Sequence, residues 1–420
     1  MNGYRLCLRE VILVLSSALD FVGVDDIRHG KRVAFMAAEC ARRAGWSPEE
    51  INRLLILGLL HDCGVSSSHV HQHLVEEWDW DHSREHARRG ADLLRSTRLL
   101  AEYAEPVRYH HTHWSELQAL ALPDDLCRQS NLIYLVDRVD ALRAQQSPLG
   151  AVPLPRSHWG AAISRHAGSE FDPALCQLFC LASDNDAFWM QQDAEVLDDY
   201  LMSWAHGGAL VAVEYEALLE LAFMFANIVD SKSQFTYRHS LGVKAVASLL
   251  ADVQQLDTVE RESVILAALL HDLGKLRVDD AVLDKPGPFD ERERLLMHRH
   301  CFDTWQLLQR ISGFESIARL ASMHHETLDG LGYPRGLTAS ELPRSARLIA
   351  VADVFQALVQ NRPYRQPMPL SEALEVMTQM VARGKLDPEQ VGLLFLHAPE
   401  AYRLARQHEP GSVRSDGEIR

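Results

Sequence analysis

The chain repeats itself at an interval of 210 residues. His29 and His239 stand that far apart, and so do the pairs His61-Asp62 and His271-Asp272. Around the second landmark Leu59-Leu60-His61-Asp62-Cys63-Gly64 matches Leu269-Leu270-His271-Asp272-Leu273-Gly274. Later landmarks drift by a few residues: His86 pairs with His300, His110-His111 with His324-His325, and Asp137 with Asp353. A duplication of this size in 420 residues restricts the fold to two copies of one unit, each long enough for an ordinary hydrophobic core.

Within the copies, apolar residues recur at three- and four-residue intervals, as in Val243 to Ala251 and Val264 to Leu270, which is the spacing of a helix face. Strand signals are scarce. Proline and glycine punctuate the segments at Lys285-Pro286-Gly287-Pro288, Gly330 to Pro334 and Arg362-Pro363. The expected fold class is all-α, with two helical bundles in tandem. The first copy is expected over residues 1–206 and the second over 207–398, divided near Gly207-Gly208. The stretch 399–420, with Glu409-Pro410-Gly411-Ser412 and few apolar residues, reads as a disordered tail.

The segment Val11 to Ala18, flanked by Arg5 and Arg9, has the look of a targeting signal. The repeat argues otherwise, since it lays Val11 to Asp20 onto Leu221 to Asp230 deep in the chain, so the segment reads as a first core helix. No apolar run reaches the roughly 18 to 20 residues that cross a bilayer, and no membrane association is expected. Seven cysteines, an odd number spread over both copies, suit a reducing cytoplasm better than a disulfide framework. Cys176 and Cys180, four apart, mark a buried helix face rather than a metal pair. A net charge of −16 argues against binding a nucleic-acid polymer, which needs a positive surface to displace counterions. It leaves room for a small anion held by metal ions and a few local cations.

His and Asp side chains projecting from several helices supply nitrogen and oxygen donors of the kind iron or manganese accepts. The second copy offers seven in order: His239, His271, Asp272, His300, His324, His325 and Asp353. In the His-Asp pair the carboxylate can bridge two ions while His271 binds one. This ordered pattern, with Gly274-Lys275 after the His-Asp pair, resembles the HD superfamily of metal-dependent phosphohydrolases. The run His324-His325-Glu326-Thr327-Leu328-Asp329-Gly330-Leu331-Gly332-Tyr333-Pro334 is similar to the signature of its HD-GYP subgroup, and the likeness extends through Arg362-Pro363-Tyr364-Arg365.

The resemblance implies a phosphodiesterase that linearises cyclic dinucleotides. Cyclic di-GMP is the first expectation and 3',3'-cyclic GMP-AMP the alternative, with hydrolysis onward to GMP left open. It also implies two divalent ions, iron or manganese, about 3.5 to 4 Å apart, whose bridging hydroxide attacks phosphorus. Asp272 and Lys275 are then the catalytic residues, Lys275 serving the leaving oxygen. Asp329, Gly330, Gly332, Tyr333, Pro334, Arg362 and Arg365 are substrate contacts, the arginines clamping phosphate. Plainer readings exist: Lys275 as a solvated lysine, the arginines as surface ion pairs, the glycines as tight-turn residues. Some family members bind a third metal through a Glu four residues before the first His; Phe235 stands there, which favours two. A nucleotidase and a non-catalytic dinucleotide receptor are the competing functions. A homodimer and contact with diguanylate-cyclase-type signalling proteins are the expected partnerships.

The first copy keeps His29, His61, Asp62, His86, His110, His111 and Asp137, and so resembles an HD domain without the GYP signature. Val65 stands where Lys275 does, His111-Thr112-His113-Trp114 replaces the Gly-rich loop, and Arg-Pro-Tyr-Arg has no counterpart. We expect metal binding to survive there and turnover to be lost, leaving a regulatory role through ligand sensing or dimerisation. Asp25 reads as a further ligand or as a helix cap.

Overall fold

The computed structural model describes residues 4–22, 28–65, 67–80, 82–146, 156–232, 239–361 and 366–407. Asp25, Phe235 and the Arg362-Pro363-Tyr364-Arg365 segment lie outside these residues. The chain divides into two compact units, Met1–Val213 and Glu214–Arg420. Both are helical, and the one sheet among the described residues is a two-stranded antiparallel ladder pairing Tyr4–Cys7 with Leu210–Val213. That ladder corrects the expected division at 206/207. Its backbone hydrogen bonds tie Leu210–Val213 to the start of the first unit, so the boundary falls after Val213.

In the first unit Val11 to Ala18 is the buried part of helix Leu8–Leu19. Helix Pro48–Leu60 opens on a reciprocal cap, in which Ser47 accepts from the Glu50 N–H and Glu50 from the Ser47 N–H, with Pro48 preset at the first position. Its last seven residues, Leu54 to Leu60, are buried, and the chain leaves it at His61. Helices His29–Ala44, Ser83–Arg95 and Asp124–Gln146 carry His29, His86 and Asp137.

The second unit repeats this plan around helix Thr258–Leu270, which Asp257 caps by accepting from the Glu260 N–H. Residues Ser263 to Leu270 are apolar on nearly every face and all buried, as expected of a central helix. It packs against Tyr215–Asp230, His239–Val253, Glu315–Ala321 and Arg344–Val359. Each fully buried Val, Ile or Leu there stabilises by about 1.5–3 kcal/mol, so the segment ends at a rigid point, where His271 and Asp272 begin. Residues 399–406 also depart from expectation. They belong to helix Ala398–Arg406, with Ala401 and Ala405 buried and the Ala405 carbonyl accepting from Gln356. Alanines one turn apart give this polar sequence a narrow apolar stripe, and packing rather than composition orders it. The rest of the expected tail, from 408 on, lies outside the described residues. No helix among the described residues is long and apolar enough to cross a membrane, and all seven cysteines are free thiols.

Candidate metal centres

Asp272 lies between two groups of imidazoles in the second unit. Its Oδ2 stands 3.2 Å from His271 Nε2 and 3.9 Å from His239 Nε2, while Oδ1 stands 3.5 Å from His300 Nε2 and 3.7 Å from His324 Nε2. Asp353 closes the first group, with Oδ1 3.0 Å from His239 Nε2 and 3.8 Å from His271 Nε2. His325 Nδ1 stands 3.9 Å from the other Asp353 oxygen and belongs with His300 and His324. The structure thus brings together all seven donors named from the sequence, in two groups that share Asp272.

Their orientations are set from behind. His271, His300 and His324 turn Nδ1 to the carbonyls of Ala268, Met297 and Ala321, each three residues upstream, at 2.8, 2.6 and 2.8 Å. An Nδ1–H donated to a carbonyl leaves Nε2 as the lone pair aimed inward. His239 Nδ1 instead faces Gln360 Oε1 at 2.9 Å. The helix end bearing His271 and Asp272 is locked to the His300 helix by Thr304, whose hydroxyl donates to the His271 carbonyl at 3.0 Å and accepts from the Gly274 N–H at 2.9 Å. The glycine after the His-Asp pair allows this approach. A Cβ on Gly274 would lie 2.1 Å from the His300 carbonyl oxygen, and one on Gly64 in the first unit 2.0 Å from that of His86.

These groups fit a divalent cation. His300 and His324 point their Nε2 atoms at each other across 3.1 Å, and Asp272 Oδ1 is buried with no hydrogen-bond donor, an arrangement costly without a cation to share. Burial holds His300 down at about 3 and His325 at about 4, and burial with the neighbouring imidazoles holds His324 well below the usual range. Burial alone would raise Asp272, but His271 and Lys275 outweigh it and hold the carboxyl far down; at Asp353 the His239 hydrogen bond and His271 do the same. Burial would likewise lower His271, yet Asp272 lifts it to about 9. At neutral pH His300, His324 and His325 are therefore neutral imidazoles beside ionised carboxylates, as metal binding requires, while His271 carries an extra proton that a cation would displace.

Lys275 Nζ donates to Asp272 Oδ2 at 2.6 Å. The loop after His325 folds back on that histidine: the Tyr333 N–H donates to the His325 carbonyl, and the Tyr333 ring stacks on His298 at 3.8 Å and lies 4.8 Å from His325. A Cβ on Gly332 would meet the Thr327 nitrogen at 2.4 Å, and Gly330 has φ +74°, so both glycines are required by the turn. Pro334 follows Tyr333 through a cis peptide. Asp329 stands apart from this group: it is exposed, and its Oδ1 accepts from Thr327 and from the Leu331 N–H, so it shapes the turn rather than facing the donors. Buried Glu326 holds the loop by accepting from the Arg335 and Leu337 N–H groups.

The first unit reproduces the donors. His29 Nε2 stands 3.1 Å from Asp137 Oδ1 and 3.7 Å from Asp62 Oδ2, His61 Nε2 stands 3.4 Å from Asp62 Oδ2, and His86 Nε2 lies 3.2 Å from both Asp62 Oδ1 and His110 Nε2. His111 joins His86 and His110. The surroundings differ. Buried Arg138 donates to Asp137 Oδ2 at 3.0 Å and to the carbonyls of Glu77 and Trp78; Val354 follows Asp353 in the second unit. The His111 side chain is 4% exposed against 29% for His325. His29 Nδ1 faces Asp140, itself clamped by Arg32, where the second unit has Gln356 and Gly242 at the corresponding positions.

Four of these residues escape a reading by motif: Thr304, Gln360, Asp140 and Arg138. The helical spacing offers a signal for two of them, since Asp140 lies three residues after Asp137 on the same helix face and Gln360, the residue that ends its helix, lies seven after Asp353.

Comparison with known proteins agrees with this duplication. One family described as HD domain matches residues 26–142, and a second family with the same description matches residues 224–390. The 3'3'-cGAMP-specific phosphodiesterase 1 of Vibrio cholerae is 37% identical over 413 residues, covering 97% of this chain and 95% of that protein. The 3'3'-cGAMP-specific phosphodiesterase 3 of the same organism is 34% identical over 301 residues, 72% of this chain and 64% of that one. A cyclic di-GMP phosphodiesterase of Thermotoga maritima is 35% identical over 186 residues, 44% of this chain and 50% of the other. The crystal structure of a cyclic GMP-AMP specific phosphodiesterase of V. cholerae superposes with a TM-score of 0.63 at 26% identity, over 94% of this chain and 98% of that one.

Proposed function

Because this chain belongs to the HD-domain cyclic-dinucleotide phosphodiesterases, with an HD domain in each unit, we propose that its second unit hydrolyses 3',3'-cyclic GMP-AMP in preference to cyclic di-GMP. The sequence alone put cyclic di-GMP first. What supports the mixed ring is that the relative matched across both units acts on it, whereas the Thermotoga cyclic di-GMP enzyme is matched over less than half of the chain.

The site proposed for this reaction is the seven-donor cluster of the second unit, holding two divalent ions, iron or manganese. His239, His271 and Asp353 would hold one, His300, His324 and His325 the other, with Asp272 shared; its two oxygens facing different imidazole groups is the observation that carries the reading. When bound, such ions activate water at neutral pH and offset charge on phosphate oxygens. The chain's own groups do the rest. Lys275, which donates to Asp272 Oδ2 at 2.6 Å, is the cation beside the metal donors and would supply the proton to the leaving ribose oxygen. Tyr333, stacked on His298, walls the half-exposed side at His325, where a nucleotide would enter. Arg362 and Arg365 retain their proposed role as phosphate clamps.

For the first unit we propose a metal-holding, non-hydrolytic domain that regulates the second. Its seven donors are kept, Val65 replaces the lysine, and Arg138 engages the Asp137 oxygen.

Protein loaded anaerobically with Fe(II) or Mn(II) should convert cyclic GMP-AMP to the linear dinucleotide faster than cyclic di-GMP, as read by chromatography, and should leave a deoxynucleoside triphosphate intact. Faster turnover of cyclic di-GMP would reverse the substrate assignment. D272N should lose hydrolysis, and persistence of turnover in that variant would remove the site. D62A should keep hydrolysis but change metal content, oligomeric state or its regulation; no change in any of them would end the regulatory role.

A further inference from the structure

One donor in the second unit stands outside the seven recognised from the sequence. Cys301 follows His300 in helix Glu291–Leu308 and is fully buried. Its Sγ lies 3.3 Å from His300 Nε2 and 3.8 Å from His324 Nε2. Those two nitrogens are 3.1 Å apart, and Asp272 Oδ1, buried and without a donor, stands 3.5 and 3.7 Å from them. Two donors that share one ion at the tetrahedral angle, with bonds of about 2.1 Å to nitrogen and oxygen and about 2.3 Å to sulfur, stand about 3.4–3.6 Å from one another. The five measured separations bracket that range. Both imidazoles are held in this orientation by backbone carbonyls, so the sulfur approaches a fixed pair rather than a mobile one.

The first unit supplies the comparison. His86, His110 and Asp62 form the same arrangement, but Ala87 occupies the position of Cys301 and is equally buried. Packing at this point of the helix is thus served by a methyl group, and the sulfur of the second unit adds a donor. We infer that Cys301 Sγ is a ligand to the ion held by His300 and His324. The inference rests on the metal reading of the second unit. On ligation the S–H bond breaks, the proton leaves to solvent and a sulfur lone pair bonds the ion, with no change of oxidation state. A soft thiolate tilts such a site toward Fe(II), Co(II) or Zn(II) over Mn(II) or Mg(II).

Cobalt tests this directly. Full-length protein, stripped of metal and kept reduced, is titrated with Co(II), and bound cobalt and the absorption spectrum are recorded together for wild type, C301S and C301A. Wild type should develop a thiolate-to-cobalt charge-transfer band in the near ultraviolet. Both variants should bind cobalt, visible in its d–d bands, without that feature, and with affinity about 10–100-fold weaker. C301A reproduces the alanine of the first unit and is expected to fold. Cobalt bound by wild type without the charge-transfer band, or a band that survives in C301S, overturns the sulfur ligand alone. Failure of wild type to bind cobalt at all overturns the metal reading and the inference with it.

Discussion

Replacing Gly274 with alanine puts a Cβ 2.1 Å from the His300 carbonyl oxygen and 2.9 Å from both the His300 carbonyl carbon and the Thr304 nitrogen. All three are backbone atoms, so no side chain can swing aside. Ordinary contact requires the His271-Asp272 segment and the His300 helix to separate by about 1 Å, at a cost of about 1–3 kcal/mol of overpacking. Carried along the line from Asp272 Oδ1 to His300 Nε2, that displacement takes 3.5 Å to about 4.5 Å. Two bonds of about 2.1 Å to one ion reach at most about 4.2 Å, so Asp272 can no longer share a metal with His300. The group of His239, His271 and Asp353 does not span this contact and should keep its ion. G274A is therefore expected to remain helical by circular dichroism, to lose about one equivalent of metal by mass spectrometry, and to lose about 10²-fold in kcat. The matching change G64A, where the Cβ would meet the His86 carbonyl oxygen at 2.0 Å, should leave turnover of the cyclic dinucleotide close to wild type. A folded G274A protein with full metal content and wild-type kcat would refute the geometric argument.

Three further outcomes can be measured. Burial, reinforced by Asp272, lifts Asp230 to about 6 against His239 and the hydrogen bonds from Ser240, which lower it. A raised acid binds a proton in the folded state that the unfolded chain has released, so Asp230's own contribution to the stability of metal-free protein, read as the difference between wild type and D230N, should fall by about 3 kcal/mol as pH rises from about 4 to about 6. D230N should abolish this fall in urea titrations, matching wild type below about pH 4 and exceeding it at pH 7; parallel curves would contradict it. T304V leaves the Gly274 N–H and the His271 carbonyl without their buried partner and should destabilise the second unit by about 2–4 kcal/mol, with T304S restoring most of the loss; equal denaturation midpoints for T304V and wild type would argue against the latch. Q360A frees His239 Nδ1 and should weaken metal binding about 10–100-fold in chelator competition, whereas Q360E, which supplies a carboxylate as Asp140 does for His29, should not; unchanged affinity in Q360A would deny Gln360 its orienting role.

Much of the architecture was legible in the chain itself. The interval between His61-Asp62 and His271-Asp272 declares the duplication, and the run from Val264 to Leu270 declares a buried helix, because a helix apolar on all faces has nowhere to go but the core. Residues 399–406 misled the reading because two alanines carry little hydrophobic signal until a partner surface exists. The strand Leu210–Val213 misled it because a ladder of backbone hydrogen bonds leaves little trace in side-chain pattern.

At the site the division is sharper. The sequence alone named the seven donors, since their types and order are one-dimensional properties. Distances between donors on five different helices or the turns that end them depend on packing, and only the tertiary structure decided that Asp272 turns one oxygen to each imidazole group. The same folding placed Thr304 behind Gly274, set Arg138 upon Asp137 in one unit alone, and brought the sulfur of Cys301 within 3.3 Å of His300 Nε2. The repeat writes one ligand list twice; the side chains that close around each list make the two units chemically different.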